Sequence, residues 1–273
     1  MRTVSITTCP KFTVILARLV VGAEDRGIHP FLDHISDEHR LCKGVSPAIL
    51  PPRGGSSPLD FCMTSFDHLH LPPGTFLGCT LDAQLDAHGL LMEYIWRTIV
   101  GQISLSLIAI TGAKLAACIS VDYSFRHVVQ GKSAEKRPIM VFRTQQLLIL
   151  YCMAVTYVLD AWFTLAHVAP DMKKIIAAVF KTTVCRLTTH NYREVSERLG
   201  AQGTFGYNMI NQIEMDIYGF IVAEGDIRAL CVRLFPHLLR GHVTLSPPAS
   251  NHSAVWCHAE DVLMRCLENI PYP

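Results

Sequence analysis

The stretch Thr98-Ile99-Val100-Gly101-Gln102-Ile103-Ser104-Leu105-Ser106-Leu107-Ile108-Ala109-Ile110-Thr111-Gly112-Ala113 decides how the chain is read. Together with its flanks it repeats apolar residues at helical spacing, through Tyr94, Ile95, Ile99, Ile103, Leu107, Ile110 and Leu115. One long helix is expected between about residues 85 and 129, with Gly101, Gly112 and Ala113 small enough to let a neighbouring helix approach closely. Arg97 and Lys114 bound the run and Gln102 interrupts it. A second apolar run, from Leu147, stops at Asp160. Both are read as buried core helices, too short or too polar for the roughly 20 apolar residues a bilayer requires, so no membrane partner is expected.

Outward from this helix, a polar break at Gly131 to Arg137 and Pro138 at a first-turn position open a second helix running to about His167. Pro170 and Asp171 open a third, of more amphipathic character, which ends near Leu199 with Gly200 at the left-handed position past its end. A short helical piece, Asn208 to Asp216, and a last helix from about Gly225 to Arg240 containing Pro236 complete the series. The tail after Gly241 carries one short amphipathic stretch, Glu260 to Ile270.

Toward the N-terminus the period changes to two. Phe12 to Val21 alternates as a strand, Gly22 and Asp25-Arg26-Gly27 supply turn residues, and Met63 to Leu71 reads as another strand. Pro51-Pro52-Arg53-Gly54-Gly55 is a loop by composition. The fold expected is α+β: a partial β-barrel domain over 1–84, a four-helix bundle over 85–240, and a tail over 241–273.

Lys and Arg (24) balance Asp and Glu (23), which removes the basic footprint of a nucleic-acid binder. None of the ten cysteines forms a C-x-x-C pair, so reduced thiols of an intracellular protein are expected. Arg18 in the middle of the first apolar stretch argues against a secretory leader. His68 and His70 share one face of a strand-like stretch, but no Cys or carboxylate stands beside them at zinc-site spacing, and no metal is expected.

Five segments resemble the acyl-CoA oxidase and dehydrogenase superfamily. Gly27-Ile28-His29-Pro30-Phe31-Leu32 is similar to the G-x-H-P-F-x signature of the oxidases' middle domain, and Ser65-Phe66-Asp67-His68-Leu69-His70-Leu71-Pro72 resembles the F-D-x-V-x-I/L-P segment leading into the first bundle helix. Phe142-Arg143-Thr144-Gln145 resembles F-x-T-Q. Arg198-Leu199-Gly200-Ala201-Gln202-Gly203 resembles R-x-G-G-x-G, with Ala201 in place of the second Gly, and Ala223-Glu224-Gly225-Asp226 resembles E-G-D/T. Tyr123 and Arg126 stand three apart where the family has Y-x-x-x-R, Ile227 stands where it often has Asn or Ser, and Pro51 to Gly55 is similar to fungal members.

The resemblance implies an FAD-dependent enzyme that desaturates an acyl-CoA or related thioester, with Glu224 as catalytic base. FAD contacts would fall on Arg126, Gln145, Gly200, Gln202, Gly203 and Asp226, drawn from two subunits of a homo-oligomer. It further implies a chain without the family's N-terminal part, which could pair with a full-length relative. Fatty-acid metabolism or a specialised biosynthetic pathway would be the setting. A cytoplasmic or peroxisomal location is expected, although the chain ends Pro271-Tyr272-Pro273 rather than on a peroxisomal tripeptide. The alternative is a non-redox interaction subunit or flavin-free catalyst on the same scaffold. The catalytic reading expects Glu224 and the glycine loop at 200–203 to meet in one cleft at one end of the bundle.

Overall fold

The computed structural model describes residues 10–55, 61–78, 81–82, 86–131, 135–166 and 173–239. Strand β1 (Lys11–Val21) pairs antiparallel with β2 (Glu24–Ser36) through a two-residue turn in which Gly22 and Ala23 both have positive φ, 56° and 72°. That is the turn whose twist suits a hairpin. Asp25-Arg26-Gly27, expected as turn, belongs to β2 instead. A register shift there sets Arg18 opposite Ile28 and Val20 opposite Asp25, a bulge that Gly27 accommodates at φ 92°. β3 (Val45–Ile49) pairs with β4 (Cys62–Phe66), and β5 (Val128–Gln130) with β6 (Lys136–Pro138), both antiparallel. Among the described residues these are three separate two-stranded ribbons, and no barrel closes. His68 and His70 lie past the end of β4, not in a strand, and His68 adopts φ 47°.

The α-helices among the described residues are α1 (Ala87–Tyr94), α2 (Arg97–Arg126), α3 (Arg143–Ala166), α4 (Lys173–Arg198), α5 (Ile210–Val222) and α6 (Ile227–Leu239). Asp86 caps α1 by accepting the Gly89 N–H at 2.8 Å. Pro138 does not open the second long helix. It ends β6, where no ladder donor is needed, and a 3-10 turn at Ile139–Val141 intervenes before Arg143. α5 runs six residues beyond the expected Asp216.

α2 and α3 are also longer than the apolar runs that announced them. Lys114 and Asp160, the charges that bounded those runs, pair with each other at 2.8 Å, so neither interrupts its helix. By length and composition alone, both helices are long and apolar enough to cross a membrane. The hydroxyls within them are satisfied locally: Ser106, Ser120, Ser124 and Thr156 each donate to the carbonyl four residues earlier.

The core lies where α4 meets α2, α3 and α5. Phe180, Val184, Tyr192, Val195 and Leu199 of α4 pack on Ala109, Ile110, Ala113, Ala116 and Ala117 of α2, with Ile210 and Ile217 of α5 closing the cluster. The Phe, Val, Leu and Ile side chains of this cluster contribute about 1.5–3 kcal/mol each when fully buried, and the alanines less. Gly112 and Ala113 take the close approach expected of them: the Tyr192 ring lies against Gly112, and its hydroxyl donates to Ala109 O at 2.7 Å. The chain divides into two compact units, residues 1–231 and 232–273, and of the second only the end of α6 is described. The expected amphipathic stretch at 260–270 lies outside the described residues.

Candidate functional site

Glu224 occupies the joint between α5 and α6. Ala223 leaves α5 in extended conformation, and Glu224 and Gly225 both turn left-handed, at φ 54° and 103°. Asp226 then caps α6, its Oδ1 accepting the N–H groups of Arg228 at 2.8 Å and Ala229 at 3.2 Å. Gly225 takes its conformation without strain, whereas a left-handed glutamate costs about 1–2 kcal/mol. Other elements hold the turn. Gln102 of α2 donates from Nε2 to Glu224 O at 2.9 Å, and Lys181 of α4 donates from Nζ to both Ala223 O and Gly225 O.

Lys181 is fully buried. Burial pushes its amine below the ordinary lysine range, partly opposed by Cys185, Asp226 and Glu224, which favour the cation. The Glu224 side chain is one-quarter exposed and crosses Gly101, where a Cβ would meet its Cγ and Cδ at 2.7 Å. Arg97, itself largely exposed, stands 3.7 Å from Glu224 Oε1. The carboxylate therefore has a fixed backbone, a loose ionic partner and partial exposure.

The glycine loop lies at the far end of the bundle. Gly200 has φ 57°, and nothing stands within 4 Å of where its side chain would be. Gly203 is buried because the Ser196 carbonyl fills its side-chain position. Gln202 accepts from the Tyr207 hydroxyl with its side chain and from Asn208 Nδ2 with its carbonyl. Gln145, buried, donates to Ser124 Oγ at 2.9 Å and Arg198 O at 3.2 Å, tying the ends of α2, α3 and α4 together. Arg126 is exposed and donates to Asp122 one turn back at 2.9 Å. Arg198 Nε is buried with no hydrogen-bond partner among the described residues.

The expected convergence of Glu224 with the 200–203 loop does not occur within one chain. Glu224 sits over Gly101 and the loop end is tied to Ser124, about 35 Å further along α2 at 1.5 Å per residue. α5 carries the chain back along the bundle between them. The residues expected around one FAD are divided in the structure: Asp226 lies beside Glu224, and Arg126, Gln145, Gly200, Gln202 and Gly203 lie at the other end. Sequence reasoning misses Lys181, Gln102 and Arg97. A lysine spaced with Ala177, Val184, Thr188 and Tyr192 on the buried face of α4 was the available signal.

No protein-family model matches this chain. It is similar to peroxisomal acyl-coenzyme A oxidase 3 of Arabidopsis thaliana, 21% identical in an alignment 255 residues long that covers 85% of this chain and 37% of that relative. Butyryl-CoA dehydrogenase from Megasphaera elsdenii matches its fold with a TM-score of 0.67 at 16% identity, over 84% of this chain and 56% of the other. Acyl-CoA oxidase-1 of Caenorhabditis elegans, solved in complex with FAD and ATP, matches with a TM-score of 0.65 at 16% identity, over 84% and 37%. The chain is thus an α+β protein with the fold of part of an acyl-CoA oxidase or dehydrogenase. Its resemblance to that superfamily holds in sequence as well as in fold, and it spans little more than a third of the curated relative's length.

Proposed function

We propose that this chain acts as an FAD-dependent acyl-CoA oxidase or dehydrogenase-like protein that desaturates an acyl thioester between its α and β carbons, with Glu224 as the base. One observation carries the reading: a carboxylate whose backbone is held, one-quarter exposed and paired among the described residues with Arg97 at 3.7 Å, stands where the superfamily motif falls. A positioned carboxylate of this kind can take the α proton while the thioester carbonyl is polarised by hydrogen bonds. FAD, when bound, accepts the β hydrogen as hydride.

The residues of the glycine-loop end fit the anionic part of such a cofactor in two respects, the unpartnered buried Arg198 Nε and the open space at Gly200, with exposed Arg126 nearby on α2. Gln145 and Gly203 are already engaged in packing this end together, and the Oδ1 of Asp226 caps a helix. The separation of the two ends exceeds the extent of one FAD molecule, so a complete site would combine Glu224 of one copy with the loop of another. A homo-oligomer, or pairing with a full-length relative, follows from the reading. An intracellular setting, peroxisomal or cytoplasmic, accords with the Arabidopsis relative.

The test is an absorbance spectrum of the purified protein with added FAD, followed by anaerobic titration with acyl-CoA thioesters. Bleaching that Glu224→Gln abolishes supports the reading. Binding without bleaching, or bleaching indifferent to Glu224→Gln, ends it. A second reading, a non-redox interaction subunit, is favoured by the exposed apolar face of α3, where Leu147, Leu150, Tyr157 and Val158 are each at least 60% exposed. It predicts colourless protein.

A further inference from the structure

We infer that Lys181 is the positioning residue of the Glu224 carboxylate: its buried ammonium grips the carbonyls on either side of residue 224 and holds the turn that aims the side chain across Gly101. The inference rests on the reading of Glu224 as the base.

A lysine with no exposed surface, in a helix face shared with Ala177, Val184, Thr188 and Tyr192, is costly to bury unless its donors are used. Packing alone would be served by Leu or Met. Two of the three ammonium donors go to Ala223 O and Gly225 O, while Gln102 reaches Glu224 O from the opposite helix. Three consecutive carbonyls, 223, 224 and 225, are therefore each held by a side chain from α4 or α2. A cation at the C-terminal end of α5 also suits the dipole of that helix, but that would require only one contact near the last turn, not a bracket around a residue outside it. The bracketed residue has the unfavourable left-handed conformation, and its backbone does not relax while the clamp is closed. What remains free is the side chain beyond Cα, lying against a glycine that leaves room for it.

The experiment uses the full chain, with FAD and an acyl-CoA thioester for the kinetic arm. Lys181→Met keeps the length of the side chain and removes its donors, and Lys181→Gln keeps a neutral donor. Tyr192→Phe is the control: Tyr192 lies on α4 eleven residues beyond Lys181 and away from the turn, and the variant removes its buried hydrogen bond to Ala109 of α2. Amide exchange at residues 224–229, read by mass spectrometry, is expected to quicken about tenfold or more in Lys181→Met and less in Lys181→Gln, and to stay at the parent rate in Tyr192→Phe under native conditions. Turnover is expected to fall roughly 10- to 100-fold in Lys181→Met with KM little changed, the pattern of a displaced catalytic group.

Exchange at the parent rate in both Lys181 variants, or a loss of turnover no greater than in Tyr192→Phe, overturns the inference. Should Glu224→Gln turn over as the parent does, the base reading fails on its own. The exchange measurement still decides whether Lys181 holds the turn.

Discussion

Gly101→Ala separates the position of the Glu224 carboxylate from the stability of the helix that carries it. Gly101 lies inside α2, and replacing an internal helical glycine by alanine stabilises by about 0.5–1 kcal/mol. The new Cβ would stand 2.7 Å from Glu224 Cγ and Cδ and 3.0 Å from Oε1. Carbon atoms prefer about 3.5 Å or more, so the arm must withdraw by roughly 0.8 Å or leave its rotamer. A strained χ angle costs about 0.5–1.5 kcal/mol. The two effects nearly cancel, and the melting temperature is expected to stay within about 4 °C of the parent, since 1 kcal/mol shifts a chain of this size by about 2–4 °C. Turnover responds differently, because a misplacement of about 1 Å can lower a rate about 100-fold. Calorimetry and stopped-flow bleaching with an acyl-CoA thioester measure the two quantities on the same sample. Full turnover in Gly101→Ala would refute the placement of the working carboxylate over this glycine, and a fall in melting temperature beyond about 8 °C would refute the packing estimate.

Gly112→Ala should behave oppositely: its Cβ would overlap the Tyr192 hydroxyl and stand 2.8 Å from Ile213 Cγ2, and urea melts should show a loss of about 1–3 kcal/mol. Gln145→Ala strands Ser124 Oγ and Arg198 O and should cost about 1–3 kcal/mol without any cofactor present; weakened FAD binding at unchanged stability would contradict the structural role given to Gln145. Burial pushes the Cys185 thiol up to about 11 from 9.0, so the unfolded chain ionises first as pH rises. The stabilisation is complete below about pH 8.5 and is lost toward pH 11, by roughly 2–3 kcal/mol, and urea melts of Cys185→Ala across that range should lack this decline.

The alternation of Phe12 to Val21 and the helical spacing from Tyr94 to Leu115 are local signals; β1 follows the first, whereas the single helix expected over 85–129 is divided, with Tyr94 ending α1, Ile95 and Trp96 forming a turn, and α2 running only from Arg97 to Arg126. What the sequence did not disclose depends on partners distant along the chain. Lys114 and Asp160 look like boundaries until they are seen to neutralise each other across two helices. Asp25-Arg26-Gly27 looks like a turn until β1 shows the register shift it answers. The candidate site fails to be legible for a similar reason. Glu224 and Gly200 are close in sequence, but α5 is thirteen residues long and carries the chain about 20 Å along its axis. Lys181 escapes notice because an ammonium is ordinarily solvated, and nothing local reveals that carbonyls 223 and 225 await it.

The two ends of the bundle differ in how much of their chemistry stability already explains. At the glycine-loop end Gly203 is required by the Ser196 carbonyl, Gln145 ties three helix ends together, and Gln202 is taken up by Tyr207 and Asn208. Each would be selected in a bundle that bound nothing, which leaves Gly200 and the buried Arg198 Nε, unpartnered among the described residues, as groups that packing does not use up, with Arg126 engaged only in an exposed pair with Asp122. At the other end packing explains less. A joint between two helices can be made with one left-handed glycine and a capping aspartate, and Gly225 and Asp226 supply both. The left-handed Glu224, the three clamped carbonyls, the buried lysine and the glycine beneath the carboxylate add strain and desolvation to that joint without adding apolar burial. Strain kept in place from two separate helices is better accounted for by the proposed use of the carboxylate than by the stability of the turn, and the functional reading of the chain therefore rests first on Glu224.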